Sequence, residues 1–102
     1  MAQFVKVAGT DEIAAGSIKH VEVNGVGIAL FNLEGNYYAI GSECTHRGGP
    51  LAEGFVEGES VTCPWHGGQF NIKTGAAEGA PAVKPVAKYN VRVQGADIEV
   101  EI

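Results

Sequence analysis

The sequence predicts an all-β fold, an antiparallel sandwich or barrel, on three observations. Short apolar stretches recur at close spacing with turn signals between them. Several alternate apolar and polar residues at period two, and no stretch keeps the 3.6-residue period of a helix. Fifteen glycines and four prolines in 102 residues demand many turns.

Phe4, Val5 and Val7 predict a first strand. Thr10-Asp11-Glu12 predicts a single helical turn ending near Gly16. Ser17 to Val23 reads as a strand, and Asn24-Gly25 as the hairpin turn that reverses it. The return strand is Val26 to Leu33. Glu34-Gly35-Asn36 makes a second turn before Tyr37-Tyr38-Ala39-Ile40. From Gly41 to Gly79 the texture changes: glycine is dense, and both cysteines and two of the three histidines fall here. Two β-rich pieces stand out within it, Ser60-Val61-Thr62 and Gln69-Phe70-Asn71-Ile72, with Lys73-Thr74-Gly75 as a turn. Residues 79–85 hold Pro81 and Pro85 and read as a loop. Tyr89 to Val93 and Ile98 to Ile102 alternate cleanly around a turn at Gln94–Asp97, which predicts a closing hairpin. The length suits one domain, 1–102, with a metal-binding insert at about 42–79 between the two β halves.

Apolar residues make up 45% of the chain, which argues against a disordered tail. No stretch approaches the roughly 20 apolar residues of a membrane span. The start, Met1 to Lys6, has no charged region followed by an apolar run, so neither a secretory signal nor a cleavable leader is expected. These points predict a cytoplasmic protein. The formal net charge of −5 argues against nucleic acid and against anionic lipid as partners.

Cys44 and Cys63 are the two cysteines. A single disulfide would be out of place in the cytosol. Each cysteine is followed by a histidine, in Cys44-Thr45-His46 and Cys63-Pro64-Trp65-His66, with sixteen residues between His46 and Cys63. Two thiolates and two imidazoles can hold zinc or an iron–sulfur centre. The single residue between Cys44 and His46 is tight for two ligands of one tetrahedral ion. A dinuclear cluster removes that difficulty, because each loop can give one ligand to each iron. Gly48, Gly49, Gly67 and Gly68 follow the ligands; bare backbone there can approach inorganic sulfur and donate N–H groups to it. They also simply turn the chain. Structural zinc stays open as the alternative.

The segments Cys44-Thr45-His46-Arg47-Gly48 and Cys63-Pro64-Trp65-His66-Gly67 resemble the cluster loops of Rieske proteins, above all the small Rieske ferredoxins that feed bacterial aromatic-ring dioxygenases. The resemblance runs over essentially the whole chain. It implies one Rieske-type 2Fe-2S cluster, with Cys44 and Cys63 on one iron and His46 and His66 on the other. It implies the Rieske fold, an antiparallel β base with an inserted cluster-binding subdomain, and a proline loop over the cluster for which Pro81 is the candidate. Respiratory Rieske proteins carry a further cysteine in each loop; here those positions are Gly49 and Trp65, so that bridge is not expected. They also carry a serine and a tyrosine whose hydroxyls reach the cluster region; here Gly68 and Phe70 stand there. Hydrogen bonds to sulfur stabilise the reduced state, so this chain is expected near the low end of the Rieske range of roughly −150 to +300 mV.

With four protein ligands the irons keep no open position for substrate, and no nucleophile–base pair or carboxylate dyad stands out. The expectation is an electron-transfer component rather than an enzyme. The resemblance implies a low-potential carrier between a flavin-containing, NAD(P)H-dependent reductase and a terminal Rieske oxygenase, and a monomer. An oxygenase large subunit would need a further catalytic domain with a two-His, one-carboxylate iron site, and is not expected on a length of 102 residues. The other rivals are the small subunit of an assimilatory nitrite reductase and a zinc-stabilised interaction module. His20 reads as a strand residue without a ligand role. Trp65 reads as packing over its loop to exclude water. Tyr37, Tyr38 and Tyr89 read as core and edge residues. Glu53, Glu57 and Glu59 read first as a solvated turn surface and second as an acidic docking patch.

Overall fold

The computed structural model describes residues 3–42, 50–65, 67–79 and 84–102. Among these, eleven strands form three antiparallel sheets. The first holds β1 (Phe4–Gly9), β11 (Asp97–Glu101) and β10 (Val91–Gln94), in that order. The second holds β2 (Ile18–Val23), β3 (Val26–Leu33), β4 (Asn36–Gly41) and β9 (Lys88–Tyr89). The third holds β5 (Phe55–Glu57), β6 (Ser60–Thr62), β7 (Gln69–Asn71) and β8 (Ala77–Gly79). Single 3-10 turns occupy Thr10–Glu12, as the sequence predicts, and Leu51–Glu53.

The hairpin turns follow from backbone sterics. Asn24 and Gly25 have φ of 51° and 80°, the doubly positive pair that a two-residue turn between twisted strands requires. The β3–β4 turn is also two residues long, Glu34 and Gly35, because Leu33 pairs with Asn36. The sequence suggests three. Glu34 holds φ 54° without being glycine, and the buried Asn32 secures the bend. Its Oδ1 accepts from the Gly35 amide at 2.8 Å, and its Nδ2 donates to the Ile13 carbonyl at 2.9 Å.

β3 is the spine. Ile28, Ala29, Leu30 and Phe31 are all fully buried, because both faces of this strand are covered. Successive side chains of a strand point to opposite faces. Ile28 and Leu30 enter a core with Ala8, Val23, Ala39, Ile98 and Val100, which joins the first and second sheets. Ala29 and Phe31 enter another core with Ile40, Leu51, Val61, Cys63, Phe70 and Val86, which joins the second and third. Full burial of such a side chain stabilises by roughly 1.5–3 kcal/mol.

Two departures from the sequence reading have plain causes. β5 and β8 were not expected as strands, since Phe55-Val56-Glu57 and Ala77-Glu78-Gly79 are short and carry only one β-branched residue between them. Pairing with β6 and β7 imposes the extended form on them. The alternating run from Tyr89 to Val93 is not one strand. Tyr89 pairs with Ala39 in the second sheet, whereas Val91 pairs with Val100 in the first. Asn90 sits at the corner, where its carbonyl accepts from the Glu101 amide at 2.8 Å and its Nδ2 donates to Glu101 Oε1 at 2.8 Å.

Candidate metal centre

Of the four expected ligands, Cys63 lies among the described residues; Cys44, His46 and His66 lie outside them, as do Gly48, Gly49 and Pro81. Cys63 follows β6 directly and is only 1% exposed, because the pleat that buries Val61 turns it to the same inner face. Its backbone amide donates to the Gly68 carbonyl at 2.7 Å, which closes the loop between β6 and β7. The Trp65 amide donates to Cys63 Sγ at 3.4 Å. A buried sulfur with an N–H aimed at it suits a thiolate ligand, whose charge the donor offsets.

The stems of the other segments are fastened to the same frame. The Leu51 amide donates to the Ser42 carbonyl at 2.8 Å, so the chain on either side of 43–49 is pinched together. Ser42 donates in turn to Gly27 at 3.2 Å, at the edge of the spine strand. Leu51 itself is fully buried in the core that holds Cys63. Past the 3-10 turn, Gly54 lies so close to β6 that a Cβ there would collide with the Thr62 carbonyl oxygen. Thr62 is the residue before Cys63. The stem that follows 80–83 is fixed at two points: Val86 donates to Gly75 at 2.9 Å, and Gly41 donates to Ala87 at 2.8 Å. Gly75 has φ 80°, and a Cβ there would strike the Val86 carbonyl. The glycine density of this stretch was visible in the sequence. Which glycines serve close approach depends on pairing across the third sheet and was not.

Other expectations resolve as follows. Trp65 keeps 50% of its surface in solvent, so its indole does not by itself seal the loop. Gly68 and Phe70 are buried, Phe70 in the same core as Cys63. His20 is an exposed residue of β2. Tyr38 packs against the Cys63 core, and Tyr37 and Tyr89 against the other. The three glutamates separate. Glu59 pairs with Lys73 at 3.3 Å, and this hydrogen-bonded carboxylate raises the Lys73 pKa above its ordinary value. Glu53 and Glu57 stand exposed. Among the described residues no group of three or more His, Cys, Asp or Glu side chains gathers as a metal site, and no helix is long and apolar enough to cross a membrane.

A model of the Rieske [2Fe-2S] domain family matches residues 3–90. The chain belongs to the Rieske family. This Rieske protein is 37% identical over 91 residues to the ferredoxin component of the naphthalene 1,2-dioxygenase/salicylate 5-hydroxylase systems of a Ralstonia species, covering 89% of this chain and 88% of that one. The ferredoxin of carbazole 1,9a-dioxygenase from Nocardioides aromaticivorans IC177 superposes with a TM-score of 0.92 at 33% identity, over 96% of each chain. A chain from a complex of reduced oxygenase and oxidized ferredoxin in carbazole 1,9a-dioxygenase gives 0.90 at 31% identity, over 95% of this chain and 91% of that one. A chain described as a putative NADH-dependent nitrite reductase small subunit from Mycobacterium tuberculosis shares the fold, with a TM-score of 0.89 at 24% identity over 100% and 96%. The cofactor of this family is the Rieske-type 2Fe-2S cluster, and the buried, amide-bonded Cys63 fits it. Relatives of this kind are electron-transfer components of oxygenase systems.

Proposed function

We propose that this Rieske protein is a low-potential one-electron carrier, taking electrons from a flavin-containing, NAD(P)H-dependent reductase and passing them to the terminal Rieske oxygenase of an aromatic-ring dioxygenase. The observation that carries the reading is likeness to ferredoxin components over nearly the full length of both chains. Cys44, His46, Cys63 and His66 are the proposed ligands, with the cysteines on one iron and the histidines on the other. The bound cluster supplies reversible one-electron chemistry. The protein's part is to hold it still. Cys63 contributes a buried sulfur, and Trp65 orients toward it an N–H that favours added negative charge. The Ser42–Leu51 and Gly75–Val86 bonds fix the stems beside it. Stems fixed in this way limit reorganisation when the electron arrives.

In this reading 1–102 is one domain with its cluster-binding subdomain at about 42–79, and the protein works as a cytoplasmic monomer. The fold shared with the nitrite reductase small subunit supports a second reading, a permanent subunit of such an enzyme. One experiment separates them. Purified protein should contain two iron and two acid-labile sulfide per chain. It should be reduced by a flavoprotein ferredoxin reductase with NAD(P)H and be reoxidised by a terminal Rieske oxygenase. Isolation with stoichiometric zinc and no sulfide overturns the cluster. Isolation only as a tight complex with a large nitrite-reducing partner overturns the shuttle.

A further inference from the structure

The third sheet has one packed face and one open face. Val56, Val61 and Phe70 point into the Cys63 core. Their neighbours point the other way, and strand register sets them in two rows. Phe55 lies opposite Thr62, and Thr62 opposite Gln69, at the end of the sheet where Cys63 begins. Glu57 lies opposite Ser60, and Ser60 opposite Asn71, one step further away. Glu78 joins the second row by accepting from the Ser60 hydroxyl and, at 3.2 Å, from Asn71 Nδ2.

Three features of this face do not belong to an ordinary solvated surface. Phe55 is 64% exposed, and the other exposed aromatic among the described residues, Trp65, lies just beyond Cys63. Both exposed large aromatics therefore flank the ligand strand, and exposed aromatics of this kind anchor protein interfaces. The four strands carry Glu57 and Glu78 but no lysine or arginine. The Ser60 and Asn71 bonds hold the Glu78 carboxyl below its ordinary pKa.

We propose that this open face is a docking surface for a redox protein that presents lysine or arginine side chains around an apolar contact, with Phe55 as the anchor and Glu57 and Glu78 as the charged frame. The proposal rests on the electron-carrier reading and adds where the partner sits. Charge complementarity selects a basic partner and speeds encounter. The register then places that partner beside the strand that ends at Cys63.

A basic, lysine-rich cytochrome c serves as the probe, since it needs no knowledge of the natural partners. The protein is reduced chemically and mixed with ferric cytochrome c in stopped flow. The cluster gives up one electron, the haem iron takes it and becomes ferrous, and no bond forms or breaks. In Glu57→Lys/Glu78→Lys the bimolecular rate at low ionic strength should fall by about tenfold, the lower end of electrostatic steering effects, and its salt dependence should flatten. Glu34→Lys, on the β3–β4 turn, makes a single charge reversal away from this sheet; its fall should be smaller than that of either single reversal, Glu57→Lys or Glu78→Lys. Phe55→Ser should lower the rate several-fold while leaving the salt slope alone. Calorimetric affinity for ferric cytochrome c, with the oxidised protein, should fall in the same order. Equal effects of Glu34→Lys and the single reversals on the sheet, or an unchanged rate in Phe55→Ser together with the double variant, overturn the proposal. Absence of the visible cluster spectrum in the wild type would instead overturn the electron-carrier reading.

Discussion

The two faces of β3 look on two different cores. On one side Ile28 and Leu30 meet Ile98 and Val100, an aliphatic contact between strands that hairpins and termini bring together. On the other, Ala29 and Phe31 meet Phe70, Leu51 and the sulfur-bearing Cys63, where three-residue strands are held by a few backbone bonds. The first core supports itself by burial. The second holds Cys63, a proposed cluster ligand, just past the end of a three-residue strand. Metal binding that fixes a ligand strand contributes folding free energy as well as chemistry.

The largest expected effect is to remove that support. Cys63→Ala, His46→Ala or His66→Ala should each abolish the native Rieske spectrum, read by visible absorption and electron paramagnetic resonance. Hydrogen exchange on the same variants should show β5–β8 losing protection while β1, β10 and β11 keep theirs. Uniform loss across both cores would mean that the two sides do not differ in their dependence on the cluster.

A matched pair sharpens the contrast. Leu30 and Leu51 are both fully buried, one in each core. Leu30→Ala and Leu51→Ala should each cost about 2–5 kcal/mol in denaturant unfolding. The Leu51 side chain fills the core that holds Cys63, whereas that of Leu30 fills the other. Its replacement should therefore speed bleaching of the cluster several-fold relative to Leu30→Ala at equal stability loss. Equal bleaching rates would show that Leu51 packing beside Cys63 does nothing for the site.

Legibility in the sequence divides along the same line. The hairpin side was readable, because Asn24-Gly25 names its own turn and Val26 to Leu33 reads as the return strand. The corner at Asn90 was not, because an alternating run looks the same whether it stays in one sheet or changes sheets. On the cluster side the spacing of Cys44, His46, Cys63 and His66 made these the expected ligands, and the burial of Cys63 is consistent with that role. β5 and β8 were not readable, since their extended form comes from β6 and β7 rather than from their own residues. Gly54 and Gly75 were visible as glycines, but their contacts with Thr62 and Val86 are long-range facts.

A smaller effect tests whether the Cys63 core tunes the potential. Phe70 is fully buried in that core, and Gly68 accepts the Cys63 amide. A neutral hydrogen bond contributes on the order of 0.5–1.5 kcal/mol net. With about 59 mV for each tenfold change in a one-electron equilibrium, one added hydroxyl acting on the reduced state shifts the potential by roughly 20–65 mV. Phe70→Tyr and Gly68→Ser should each raise it, and the double variant further, by voltammetry at one pH. If the hydroxyl added by Phe70→Tyr finds no partner, it would instead leave the potential alone and cost about 1–3 kcal/mol of stability. No rise in any folded variant would reject the tuning.

The smallest effect lies on the surface, where each side has an exposed ion pair: Lys6 with Asp97 at 3.2 Å, and Lys73 with Glu59 at 3.3 Å. Neither should matter much, since exposed pairs are screened and cost side-chain freedom. The Lys73 pair still makes a signed prediction. Its hydrogen bond to Glu59 raises the lysine pKa above 10.5 in the folded state. A raised pKa means that the folded protein binds the proton more tightly than the unfolded chain does. The contribution is therefore fully present below about 10.5, the unfolded value, and is lost as pH rises through the higher folded value. Glu59→Gln should lower the melting temperature slightly and by a constant amount from neutral pH up to about pH 10, the window below the lysine pKa. Above the raised pKa the two proteins should converge, as read by thermal unfolding in a pH series at fixed ionic strength. A difference that grows with pH instead would mean that Glu59 acts through something other than protonated Lys73.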